Sequence, residues 1–146
     1  MAAYDTLVQD EHFAPENIVL FGRSLGAAVA VDISLKRPVR AVILESAFTS
    51  TKDMAKTMGL FALIAPLLPP NYNNLEKITH IRVPKLIIHG TNDHIVPYSM
   101  GETLFDAAEA PKYFLPLEGA DHNNTYLVEP KTYFETFAAF AREAKL

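Results

Sequence analysis

A serine stands between two glycines in residues 22–26, which read GRSLG. This spacing is typical of a nucleophile elbow, a sharp strand-to-helix turn that pushes the hydroxyl of the central serine away from the backbone. We expect Gly22 and Gly26 both to be required, because a side chain at either position would clash in so tight a turn. Ser24 is therefore a candidate nucleophile for acyl transfer. The alternative is a glycine-bounded turn whose serine only caps the following helix.

A serine hydroxyl is a weak nucleophile at neutral pH. It needs a base within hydrogen-bond reach, and a carboxylate must orient that base. The sequence offers both groups in the order serine, acid, histidine. Asp93 follows the apolar run that ends at Gly90, and His122 follows a later run that ends at Leu117. We predict that Ser24, Asp93 and His122 form the catalytic set.

Other side chains compete for these roles. Among the carboxylates, Glu45 and Asp121 are rivals for orienting the histidine, and geometry decides between them and the favoured Asp93. Among the histidines, His94 neighbours the acid and is a weaker candidate. His89 lies on a predicted strand, so we expect it to be structural.

Apolar runs alternate along the chain with segments of helical periodicity. The predicted strands are residues 18–21, 39–44, 85–89 and 113–117, and the predicted helices are residues 2–10, 25–35, 98–108 and 129–144. Such alternation is typical of a parallel sheet covered by helices on both faces. We therefore predict an α/β fold of about four parallel strands. The candidate residues then fall at the carboxyl ends of the strands, where such sheets build their sites.

Residues 49–82 fit this alternation poorly, because they are rich in Met, Pro and Asn. We interpret them as a lid-like excursion over one end of the sheet, within a single domain of residues 1–146. Plain lid or core packing is the more frequent role of apolar side chains in such a segment. The lining of an acyl pocket is the functional interpretation, for which the candidates are Phe61, Leu63, Leu67 and Tyr72.

Composition argues against several other functions. The net charge is −4 and no Lys or Arg cluster exceeds residues 36–37, so we expect no nucleic-acid partner. The absence of cysteine excludes disulfides, thiolate metal sites and a cysteine nucleophile. The spacing of His, Asp and Glu matches no zinc helix motif, so we expect no metal. The longest apolar run, residues 58–68, is too short to cross a bilayer, and we expect a soluble chain, cytoplasmic by default.

Three motifs occur together: GRSLG at residues 22–26, H-G-x-x-D-x-x-V-P at residues 89–97, and G-A-x-H-N at residues 119–123. In this order they resemble the α/β-hydrolase superfamily, in the serine hydrolase branch near the prolyl-oligopeptidase-type and Bem-type hydrolases. The resemblance extends over almost every residue.

This resemblance implies roles for individual residues. Ser24 would be the nucleophile, His122 the general base and acid, and Asp93 the orienting carboxylate. The backbone N–H of Leu25 would be one oxyanion donor. No cofactor is implied, because the three side chains carry out the chemistry unaided.

Members of this family place several strands before the elbow strand, and a loop after one of them supplies a second oxyanion donor. The sequence contains none of these strands, so we expect the C-terminal half of the fold, with an open sheet edge at residues 17–21. An expressed fragment, a natural half that pairs with a separate N-terminal half, and a homo-oligomer that closes its own edge all fit. Loss of one oxyanion donor typically lowers turnover about a hundredfold to a thousandfold.

The function expected first is a serine hydrolase of the esterase, thioesterase or peptidase type. It would act on a carboxylic ester, thioester or amide through an acyl-Ser24 intermediate. The alternative is a hydrolase-like interaction module or half-subunit that self-associates or needs a partner chain. An acyltransferase, which passes the acyl group to an acceptor other than water, is a third and weaker hypothesis.

Overall fold

The computed structural model describes residues 2–57 and 72–145. Four strands form one sheet, and their order across the sheet is their order along the chain. They are β1 (Val19–Arg23), β2 (Ala41–Glu45), β3 (Lys85–Gly90) and β4 (Lys112–Leu117). All neighbours are parallel. The prediction of a four-stranded parallel α/β fold is confirmed, and the carboxyl ends of all four strands meet at one edge.

Helices connect the strands. The first is α1 (Ala2–Asp5), which continues into a π-helical turn at Thr6–Asp10, and a 3₁₀ turn at Pro15–Asn17 precedes β1. The others are α2 (Leu25–Ser34), α3 (Thr51–Thr57), α4 (Asn74–Ile78), α5 (Tyr98–Ala107), α6 (Thr125–Val128) and α7 (Pro130–Glu143). The four-residue helix α6 has no counterpart among the predicted elements, because it is too short to show a helical period.

Helices cover both faces of the sheet, as predicted. Successive side chains of a strand point to opposite faces of the sheet. The residues of the buried strand β2 therefore contribute alternately to the core on each face. Val42 and Leu44 belong to a core cluster with residues of α2, α4 and α5. Ile43 belongs to a second cluster with Tyr133 and Phe140 of α7. The sheet is therefore the middle layer of a three-layer domain.

All four strands differ from their predicted bounds by one or two residues at an end, and the outer strands β1 and β4 are the informative cases. β1 continues past its predicted end at Phe21 through Gly22 and Arg23, so the strand reaches the serine directly. β4 includes Pro116, as the predicted strand of residues 113–117 does, and begins one residue earlier at Lys112. Among the described strands β4 pairs only with β3, and a proline that cannot donate a hydrogen bond is tolerated on such an outer strand.

The predicted excursion at 49–82 is described only at its two ends, which contain α3 and α4. The pocket candidates Phe61, Leu63 and Leu67 lie outside the described residues. Within the ranges that the structure describes, no helix has the length and apolar character needed to cross a bilayer.

Candidate active site

The turn between β1 and α2 carries Ser24. Its backbone has a φ of +53° and a ψ of −120°, a strained conformation for a residue with a side chain. Gly22 is required here, because a Cβ at that position would lie 2.3 Å from the carbonyl oxygen of Gly26. A Cβ at Gly26 would meet no atom of the described chain within 4 Å, because this residue lies on an exposed turn of α2. The expectation of a clash at both glycines is therefore wrong for Gly26.

The backbone of the elbow is anchored to the neighbouring strand. The N–H of Ser24 donates to the carbonyl oxygen of Glu45 at 2.9 Å, which extends the pairing of β1 with β2 by one step. Leu25 is the first residue of α2, and the first N–H groups of a helix have no acceptor within it. The N–H of Leu25 is thus a donor suited to an oxyanion, and that role stays a prediction.

Asp93 lies in the loop between β3 and α5, and the backbone of this loop holds its carboxylate. Oδ1 accepts hydrogen bonds from the N–H of Ile95 at 2.9 Å and of Val96 at 2.8 Å. Burial raises the pKa of Asp93. The hydrogen bonds from two histidine rings and two backbone N–H groups outweigh burial and hold the pKa well below its usual range. Asp93 is therefore an anion at neutral pH.

His122 lies in the loop after β4, and its imidazole meets Asp93. Nδ1 of His122 lies 2.8 Å from Oδ2 of Asp93, and their side chains are 8% and 0% exposed. A histidine whose Nδ1–H is held by a carboxylate has Nε2 available to accept a proton. The structure thus brings together two of the three predicted residues. Across residues 2–57 and 72–145, no hydrogen bond joins Ser24 to His122.

Asp121, one rival carboxylate, binds backbone instead of the imidazole. Its Oδ1 accepts the N–H of His122 at 2.6 Å and the N–H of His94 at 3.1 Å. These bonds, led by the one from His94, lower the pKa of Asp121. Asp121 therefore ties the acid loop to the histidine loop. The side chain of His94 is 79% exposed.

Glu45, the other rival, ends β2 and is buried beneath the histidine loop. It accepts hydrogen bonds from the Thr125 hydroxyl at 2.6 Å and the Tyr133 hydroxyl at 2.7 Å. Burial, followed by this hydrogen bond, raises the pKa of Tyr133, so its hydroxyl is a neutral donor. Nε of Arg23 lies 3.4 Å from Oε1 of Glu45. Glu45 thus holds other elements together and does not orient the imidazole of His122.

The interpretation of His89 as structural missed a contact with the acid. Nε2 of this fully buried ring lies 3.0 Å from the carbonyl oxygen of Val96 and 3.5 Å from Oδ2 of Asp93. The ring fits only because residue 101 is glycine, since a Cβ at Gly101 would lie 2.4 Å from Nδ1 of His89. The four-residue separation in the H-G-x-x-D motif was the available signal.

Arg23, the variable residue of the elbow motif, was also overlooked. Its Nη2 donates to the carbonyl oxygen of His122, and to Oδ1 of Asn123 at 2.9 Å. No local pattern marks this contact, because it joins residues 99 and 100 positions apart.

A cavity of about 300 Å³ opens beside Ser24. Its lining is mostly apolar and consists of Ser24, Leu25, Phe48, Thr51, Met54, Ala55, Ile95 and Val96. The first part of the predicted excursion therefore contributes to it through α3. Tyr72, a candidate for the lining of an acyl pocket, lines a different cavity next to α2 and is not among the described residues that line the cavity at Ser24. In the part of the chain that is described, no three His, Asp or Glu side chains are grouped to hold a metal ion.

Similar proteins extend well beyond the length of this chain. An uncharacterized protein of Mycobacterium tuberculosis is 34% identical over 142 residues, which are 97% of this chain and 50% of that protein. Human alpha/beta hydrolase domain-containing protein 17B is 36% identical over 115 residues, which are 77% of this chain and 38% of that protein. The chain thus spans half or less of the length of these relatives.

Solved structures support the fold. An esterase domain from a Rhodothermus marinus protein is 25% identical with a TM-score of 0.73, and the match covers 97% of this chain and 66% of the domain. Acylaminoacyl peptidase of Pyrococcus horikoshii is 18% identical with a TM-score of 0.75, covering 98% of this chain and 27% of the peptidase. A profile of the prolyl oligopeptidase family matches residues 1–132. The chain has an α/β-hydrolase fold and belongs to the prolyl oligopeptidase family.

Proposed function

We propose that this chain carries the reactive half of a serine hydrolase, which acts through an acyl-Ser24 intermediate. Family membership supports hydrolase activity in general. The observation that carries the more specific proposal is the 2.8 Å contact between Nδ1 of His122 and Oδ2 of Asp93. It leaves the other imidazole nitrogen available as a base, at the same edge of the sheet as the strained serine.

The proposed reaction has two steps. In the first, Oγ of Ser24 attacks the carbonyl carbon of the substrate and its proton passes to Nε2 of His122. The bond to the leaving alcohol, thiol or amine then breaks, and that group leaves with the proton. In the second, His122 takes a proton from water, and the resulting hydroxide adds to the acyl carbon. The bond from that carbon to Oγ of Ser24 then breaks, His122 returns its proton to Oγ, and the carboxylic acid leaves. The anion of Asp93 stabilises the imidazolium in both steps, and the N–H of Leu25 faces the developing oxyanion.

The substrate class follows from the cavity at the serine. Phe48, Met54 and Val96 present apolar surface there, and none of the described residues that line the cavity is charged. Such a lining favours an apolar acyl group, since burying apolar surface contributes about 25 cal/mol per Å². We therefore propose esters, thioesters or amides with an apolar acyl part. The similar structure from Rhodothermus marinus is an esterase domain, which is consistent with this class.

A fluorophosphonate probe tests the proposal. The nucleophile displaces fluoride from phosphorus only if its proton can be removed, so labelling reports a working serine and base. We expect the purified chain to be labelled and Ser24→Ala to be unlabelled. Labelling that survives in Ser24→Ala would contradict the assignment of the nucleophile.

A second function is favoured by the outer side of β1. Among the strands that the structure describes, β1 pairs only with β2. Phe21 on this strand is 49% exposed, and helices α2 and α7 also expose apolar side chains: Leu25 by 55%, Val29 by 46% and Phe134 by 57%. Unpaired strand edges with apolar surroundings invite another polypeptide. We propose that further chain covers this surface, either an N-terminal half or a second copy.

The mass of the chain in solution distinguishes these occupants. A dimer that dissociates on Phe21→Lys substitution supports a second copy, whereas a stable monomer supports an N-terminal half. A dimer that the fluorophosphonate probe does not label would favour an interaction module over the hydrolase.

A further inference from the structure

The side chain of Arg23 crosses from the elbow to the histidine loop. β1 and β4 are the two outer strands of the sheet, so their ends are separated by three strand intervals, about 14 Å. The loop after β4 must therefore turn back over the sheet. Where it does so, Nη2 of Arg23 donates to the carbonyl oxygen of His122 and to Oδ1 of Asn123. Arg23, the residue before Ser24, is thus hydrogen-bonded to the main chain of His122.

The buried carboxylate of Glu45 faces Arg23 from below. It is 1% exposed and lies 3.4 Å from Nε of Arg23. Its other two partners, the hydroxyls of Thr125 and Tyr133, belong to the segment just after His122. Only the carboxylate of this pair is fully buried, since the side chain of Arg23 is 33% exposed.

His122 makes two further contacts, through its backbone N–H and its Nδ1. Asp121 accepts its backbone N–H at 2.6 Å, and Asp93 lies 2.8 Å from its Nδ1. Arg23 supplies the third contact, a hydrogen bond to the backbone carbonyl oxygen of His122. Three contacts then fix the position and direction of the imidazole.

We propose that Arg23, with Glu45 as its counter-ion, is a positioning residue that aligns His122 with Ser24. The guanidinium touches neither substrate nor reacting atom and acts only through the main chain of His122. The kinetic consequence rests on the proposed hydrolase function. A misplacement of a reacting group by about 1 Å costs on the order of a hundredfold in rate.

The variants separate positioning from structural support. Arg23→Met removes the hydrogen bond to the carbonyl oxygen of His122 but leaves the carboxylate of Glu45 buried without its cation. The double variant Arg23→Met with Glu45→Gln removes that unpaired charge as well, but it does not restore the hydrogen bond to His122. Arg23→Lys keeps one donor. Arg40→Met is the matched control, because Nη2 of Arg40 also donates to a distant backbone carbonyl, that of Arg142.

Fluorophosphonate labelling is measured as a function of probe concentration. We expect the maximal rate for Arg23→Met to fall about tenfold to a hundredfold, with the half-saturating probe concentration unchanged. Arg23→Lys should recover part of the rate. The double variant should unfold at a higher temperature than Arg23→Met and still react slowly. Arg40→Met should react as fast as the wild type.

A proton NMR spectrum provides a readout that does not depend on activity. The proton between His122 and Asp93 should give a low-field resonance in the wild type and in Arg40→Met, and this resonance should broaden or vanish in Arg23→Met. Wild-type rates in Arg23→Met, or rates that recover with stability in the double variant, would overturn the proposal. If the wild type is not labelled at all, the hydrolase function fails, and an unchanged resonance in Arg23→Met would still overturn the positioning role by itself.

Discussion

Replacing Asp93 by asparagine tests the assignment of the orienting carboxylate with little change in shape. Oδ1 of the asparagine can still accept the N–H groups of Ile95 and Val96, so the loop keeps its two backbone hydrogen bonds. The amide nitrogen then occupies the place of Oδ2. A donor would face Nδ1 of His122 at 2.8 Å, where the wild type has an acceptor.

The imidazole would respond by changing its tautomer. Nδ1 would accept a hydrogen bond from the new amide, and the ring proton would move to Nε2. A protonated Nε2 cannot take the proton of Ser24. In proteases with the same constellation this substitution lowers turnover about 10⁴-fold, which corresponds to about 5 kcal/mol of activation free energy. We expect a loss of that order for Asp93→Asn.

The assay is the rate of fluorophosphonate labelling at neutral pH, followed by hydrolysis of an activated ester with an apolar acyl group. Asp121→Asn is the matched control. The asparagine oxygen can still accept the N–H groups of His94 and His122, and exposed charges contribute little, so we expect a rate within about threefold of the wild type. If Asp93→Asn reacted within tenfold of the wild type, or if Asp121→Asn were the more damaging change, the assignment of Asp93 would be refuted.

Three further predictions concern packing, pH and acyl-chain length. Gly101→Ala places a Cβ 2.4 Å from the buried ring of His89, and we expect a loss of about 1–3 kcal/mol in the free energy of unfolding, measured with urea. Burial lowers the pKa of Lys85 to about 8 from 10.5, so the unfolded state binds more protons above pH 8. The free energy of unfolding should then rise by about 2 kcal/mol from about pH 7.5 to about pH 9.5, and Lys85→Met should remove this rise. Met54 lines the cavity at Ser24 and an adjoining one, so Met54→Ala should favour longer acyl chains by about fourfold in kcat/KM per added methylene. An unchanged chain-length preference would contradict this role of Met54.

Local patterns were sufficient to predict the four strands and the loops that carry Asp93 and His122. Apolar runs and glycines report directly on buried strands and tight turns, and the strand order follows from the way short connections join neighbours. Pro116 shows the limit of such patterns. Whether it ends a strand depends on which strand lies at the outer position, and this is a property of the assembled sheet.

The contacts of Arg23 and Glu45 could not be predicted in the same way. Each depends on the loop after β4, which returns across two strands to reach Arg23 and across one strand to reach Glu45. Secondary-structure propensity and hydrophobic periodicity depend on a few neighbouring residues. They contain no information about a loop that packs against a distant part of the chain. The contact between His89 and Asp93 could be predicted only in part. The two residues are four positions apart, which is a local pattern, but the inward direction of the His89 ring depends on the space left at Gly101.

The outer position of β1 has a consequence for the serine that follows it. In a strand paired on one side, alternate residues direct their N–H and C=O groups away from the partner, and in β1 these are Val19, Phe21 and Arg23. Anything that pairs with this edge binds best when β1 is fully ordered. By linkage, the same binding energy then maintains the strained backbone of Ser24. We therefore expect occupancy of the sheet edge to stabilise the backbone that presents the Ser24 hydroxyl, and the labelling rate of Ser24 to rise with the concentration of the chain that covers β1.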